Sequence, residues 1–112
     1  MNRFDALRDL IGFNKPVSVL SDTLKNYEWD YDGEPFIITP LYVRKILIRF
    51  LNKEFSAQDL EDWANLIEGR EDLEFEEAYN DEIENIIYSL ANPVLQGEIT
   101  FDSCSQLLKT LG

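Results

Sequence analysis

Carboxylates are the side chains of this sequence with the most chemistry to offer. Thirteen Asp and Glu fall between Glu54 and Glu84 against one base, Arg70, while the other 81 residues hold nine acids and nine bases. The whole formal net charge of −12 is therefore carried by one stretch of the chain. Carboxylates gathered in this way can attract a basic protein surface, ligate a hard cation, or exchange protons where burial shifts a pKa. Their field suits the first of these and repels the phosphates of nucleic acids and membranes. Solvation alone also accounts for acids on outer helix faces. Segregation of one sign is unfavourable, however, because a like-charge pair at i,i+4 such as Glu77 and Asp81 destabilises a helix by about 0.2–0.5 kcal/mol.

Other chemistry is narrowed by what is missing. The sequence has no His and a single Cys, so neither a structural zinc site nor a Cys/His or Ser-His-Asp constellation can be assembled from it. Its five glycines stand apart, and no Gly-rich phosphate loop is formed. Asp30-Tyr31-Asp32-Gly33-Glu34 has the look of a calcium loop, yet the twelfth position, where a bidentate Glu belongs, is Leu41. It reads as a turn. No catalytic residue, metal or cofactor is expected. Arg44, Lys45 and Arg49 form the only basic patch, expected to neutralise a neighbouring acidic helix rather than to bind an anion. Cys104 is expected to be a small buried hydrophobe.

The elements that must position these groups are mostly helical. Phe4, Leu7, Leu10 and Ile11 share one face of a helix over 3–11 that Gly12 stops. Residues 13–38 are harder to read: Val17, Val19, Leu20 and Leu24 fit a short helix after Pro16 or an extended segment, and Phe36-Ile37-Ile38 is strand-like. Thr39-Pro40 starts a helix running to about Lys53. Ser56 with Asp59 gives an Asp version of the capping box before a helix that buries Leu60, Trp63, Ala64 and Ile67. A long helix is expected from about Glu74 to Ala91, with Phe75, Tyr79, Ile83, Ile86, Ile87 and Leu90 inward and Glu77, Asp81 and Glu84 outward. A last helix from Thr100 is expected to bury Phe101, Cys104, Leu107, Leu108 and Leu111. Its start, Gln96-Gly97-Glu98-Ile99-Thr100, matches Asn52-Lys53-Glu54-Phe55-Ser56 in kind: turn, Glu, hydrophobe, hydroxyl cap. Trp29, between Tyr27 and Tyr31 in an acidic loop, is either an interface anchor or a lid on the core.

These readings add up to an all-α fold, a compact bundle of four to five helices in one domain over 1–112, with an irregular, strand-compatible segment at about 13–38. No apolar run long enough to span a membrane and no secretory leader is read, and the lone cysteine suits a reducing cytoplasm. The stretch Leu51-Asn52-Lys53-Glu54-Phe55-Ser56-Ala57-Gln58-Asp59-Leu60-Glu61-Asp62-Trp63-Ala64, with the acidic segment after it, resembles small helical bacterial immunity proteins of the colicin D or contact-dependent-inhibition type. The resemblance implies a protein that neutralises a basic toxin, a nuclease domain, by presenting carboxylates in place of nucleic-acid phosphates. The residues expected to carry this are Glu61, Asp62 and Glu68, then Glu71, Asp72 and Glu74, then Glu77, Asp81 and Glu84, with Trp29 or Tyr31 as an apolar anchor. The alternative is a cytoplasmic adaptor or regulatory bundle whose acidic face meets another protein. Either way the expected partner is a basic protein, not nucleic acid or membrane, and oligomeric state is left open.

Overall fold

A computed structural model describes residues 2–28 and 31–111. Helix α1, Arg3–Gly12, begins where the Asn2 side chain accepts the Asp5 N–H at 2.8 Å. It ends through Phe13, which takes a left-handed conformation at φ 49 and returns its N–H to Leu10. Gly12 is thus the last helical residue rather than the stop. A non-glycine residue in that conformation is disfavoured by about 1–2 kcal/mol, and packing offsets this. The Phe13 ring stacks on Phe55 with centroids 4.1 Å apart and lies 6.3 Å from Trp63.

After Pro16 comes α2, Val17–Leu24, which buries Leu20 and Leu24. Strand β1 covers Phe36–Ile38, and α3 runs Pro40–Leu51. Helix α4, Ala57–Ile67, carries the capping box in both directions: Ser56 Oγ accepts from Asp59 N–H and the Asp59 carboxylate from Ser56 N–H. Strand β2, Leu73–Phe75, pairs in parallel with β1, Phe36 opposite Leu73 and Ile38 opposite Phe75. A 3-10 turn at Glu77–Tyr79 leads into α5, Asn80–Ala91; a four-residue α6, Pro93–Gln96, and α7, Phe101–Thr110, complete the chain. Thr100 and Ser103 form the second reciprocal box, so the two similar helix starts read from the sequence are alike in hydrogen bonding too.

The molecule is a compact helical fold with one small two-stranded sheet, and the described residues contain seven α-helices rather than four or five. The principal departure lies at Glu74–Tyr79, read as the start of one long helix. There Leu73 points inward, Glu74 outward and Phe75 inward again, the period of a strand, and β1 supplies the missing partner. Tyr79 is 41% exposed as a result, off the core stripe, and Phe101 is 50% exposed with its ring tilted 5.4 Å from that of Phe50.

The core is centred on Trp63, whose ring is buried and whose Nε1–H donates to the Leu10 carbonyl at 2.7 Å. That bond satisfies the one polar atom of the largest core side chain and ties α4 to α1. Helix α4 packs most extensively on α5, α3 on α7, and α1 on both α2 and α3. Among the described residues no helix is long and apolar enough to cross a membrane.

Candidate protein-binding face

The parallel pairing of β1 with β2 decides where the acids go. It brings the Arg70–Glu76 segment back across the molecule, so residues adjacent in sequence meet different environments. Asp72 is fully buried. Its carboxylate accepts from Arg70 Nε at 2.9 Å and Nη2 at 3.0 Å, a two-pronged pairing, and from Arg3 Nη1 at 2.7 Å. The Arg3 guanidinium also reaches the Glu28 carbonyl at 3.1 Å and lies 4.5 Å from the Tyr31 ring centroid and 5.4 Å from that of Tyr27. Asp72, counted among the surface acids in the sequence, is therefore a structural anion closed off from any partner.

The face itself forms around Phe75. Glu68, at the end of α4, and Asp81 and Glu84 of α5 line a groove with Gly69, Phe75, Asn85, Ile87 and Tyr88. An adjoining depression is lined by Glu74, Glu77, Asp81 and Glu82 and shares Phe75 and Asp81 with the first. Five of the expected residues, Glu68, Glu74, Glu77, Asp81 and Glu84, are thus gathered on one surface, and all five are exposed. Glu77 and Asp81 do not stack on one helix as expected: Glu77 belongs to the 3-10 turn, and only Asp81 and Glu84 lie in α5. Asp81 and Glu82 occupy the first turn of α5, where the unpaired N–H groups and the helix dipole favour negative charge.

The remaining expected residues lie elsewhere. Glu61 lines a separate groove with Pro93, Val94, Glu98 and Ile99. Asp62 is half-buried and accepts from Gln58 at 2.9 Å. Glu71 accepts from the Tyr31 backbone N–H at 3.2 Å, and Tyr31, half-buried beneath Arg3, is held by the buried cluster rather than presented as an anchor. Trp29 falls outside the described residues. Glu82, Phe75, Asn85 and Tyr88 belong to the face although the sequence reading did not place them there. The alternation of Leu73, Glu74 and Phe75 is the signal that could have found Phe75.

Neutralisation is scarce on this face. Of the thirteen acids between Glu54 and Glu84, ion pairs within 4 Å are made by Glu54, to Arg49 at 3.0 Å, and by Asp72. The other eleven have no cation in reach among the described residues. Nor do the bases of α3 serve them. Arg49 is engaged by Glu54, the Gly12 carbonyl at 2.8 Å and the Phe55 ring at 4.5 Å, while Arg44 and Lys45 make no ion pair among the described residues. Among the described residues the counter-ion role expected of the basic patch falls to Arg49, because α3 packs mainly on α7 and α1.

Cys104 is buried in α7, and burial pushes its thiol from an ordinary 9.0 up to about 11, against a hydrogen bond with Ser103 that acts the other way. A neutral, enclosed thiol is a hydrophobe, not a nucleophile. Among the described residues no group of three or more Asp, Glu or Cys is placed to hold a metal ion. Compared with protein families, curated proteins and solved structures, the chain matches none of them.

Proposed function

We propose that this chain is a binding protein whose acidic face covers a basic surface of another protein, in the manner of an immunity protein that neutralises a toxin nuclease domain by standing in for nucleic-acid phosphates. The observation that carries the reading is the set of eleven carboxylates left without a cation within 4 Å among the described residues, five of the exposed ones collected around Phe75. A surface shaped only for solvation would interleave signs. Here Arg44 and Lys45 stand on another element, and the like-charge repulsion is left unrelieved. Complementary fields speed encounter and fix orientation, and both effects weaken as salt rises.

The chemistry asked of the chain is recognition alone: oxyanions held at fixed spacing, with no bond made or broken. The test is capture on the immobilised protein at low salt, elution by a salt gradient, and assay of any retained basic protein for nuclease activity with and without this chain. One basic protein held at a one-to-one ratio, released by salt and inhibited when bound, is the expected result. Retention of one such protein without inhibition of any activity favours the adaptor reading. Weak retention of many basic proteins would mean that the charge is generic.

A further inference from the structure

The acidic face contains an apolar groove that charge alone does not explain. Its floor is Ile87, buried, with Phe75, half-buried, and Tyr88, 41% exposed. Its volume is about 430 Å³, at the small end of ligand-sized cavities. Gly69, at φ 85, turns the chain just past the end of α4 and lines the groove. Glu68, Asp81 and Glu84 stand on the rim, and none has a cation within 4 Å among the described residues. An exposed apolar floor inside a ring of carboxylates suits a ligand that is apolar at one point and cationic on either side.

We infer that this groove is the anchor point of the partner, and that its occupant is an exposed loop of a basic protein carrying one Leu- or Phe-sized side chain flanked by Lys or Arg. The inference rests on the acidic-face reading above and adds to it an apolar determinant. The apolar side chain buries itself on Phe75, Ile87 and Tyr88, and the flanking cations meet Glu68, Asp81 and Glu84. Charge complementarity selects a basic loop over an acidic or neutral one.

The test uses two labelled peptides of equal length and charge, one with a single Leu among Lys and Arg residues and one with Ser in its place. Binding is followed by fluorescence anisotropy at low salt. The Leu peptide should bind roughly tenfold more tightly, the gain expected from burying one such side chain. Asn85→Trp, which fills the groove from an exposed position of α5, should erase that difference; Tyr88→Ala, which strips part of the floor, should reduce it in the same way if the first variant does not fold. Glu74→Lys with Glu77→Lys, outside the groove, should weaken both peptides alike. Equal binding of the two peptides overturns the groove inference and leaves the acidic-face reading standing. Failure of both peptides to bind at low salt overturns both.

Discussion

Asp72 and the trio Glu68, Asp81 and Glu84 come from the same acidic stretch and end in opposite surroundings. Asp72 is buried with Arg70 and Arg3 within 3.0 Å of its oxygens; the trio faces water with no cation within 4 Å among the described residues. The contrast teaches that local charge density does not tell a structural acid from a recognition acid. What separates them is which cations the fold delivers. Arg70 is two residues away from Asp72, but Arg3 arrives from the far end of the chain. A carboxylate taken out of water is tolerated only when paired and hydrogen-bonded, and once so paired it is no longer available to a partner.

The comparison breaks most visibly at the buried end. Asp72→Ala leaves two arginines facing an emptied site and should destabilise the fold by about 3–5 kcal/mol. Urea unfolding checks this, and a change under about 1 kcal/mol would place Asp72 in the class of surface ion pairs. Arg3→Ala should cost less, about 1.5–3 kcal/mol, because Arg70 still holds the carboxylate and the Arg3 side chain is 21% exposed. A loss as large as that of Asp72→Ala would mean that docking of α1, and not the charge, is what Arg3 supplies.

At the exposed end the expected stability effects are small and the binding effects large. Replacing Glu77, Asp81 and Glu84 together by Lys should change the unfolding free energy by less than about 1 kcal/mol, since relief of the repulsion is offset by a cation placed in the first turn of α5. Partner affinity should drop by about tenfold or more per reversed charge, measured by calorimetry. Unchanged affinity would reduce the face to a solubility device. The smallest effect sharpens the contrast further. Raising salt from low to moderate ionic strength should slightly raise the melting temperature of the free protein, by screening the unpaired acids, while the Asp72 cluster, shielded from solvent, contributes nothing to that slope. A melting temperature that falls with salt would show that exposed pairs such as Arg49–Glu54 outweigh the repulsion.

Legibility in the sequence followed interaction range. The reciprocal cap of Ser56 with Asp59 is readable because it joins residues three apart, and Thr100 is readable as a cap, although its return partner Ser103 emerges only in the structure. The burial of Leu60, Trp63, Ala64 and Ile67 was readable because helical period is local. The acidic character of the face was readable as well, being a matter of composition. Glu74–Tyr79 reads as helix in the sequence because a three-residue strand takes its identity from a partner nearly forty positions earlier, Ile37 opposite Glu74. The same helical period pairs Glu77 with Asp81, which the 3-10 turn separates.

By itself, then, the order of residues determined the starts of α3, α4 and α7, the core stripe of α4, and that one segment holds all the net charge, since capping, periodicity and composition act within a few residues. Only the tertiary structure decided that Phe13 closes α1 in a left-handed conformation, that β1 and β2 pair, that Asp72 is buried between two arginines, and that Phe75 sits among Glu68, Asp81 and Glu84. Each of these depends on contacts between distant segments. Their free energy exists only once the chain has closed and water has been displaced from between them.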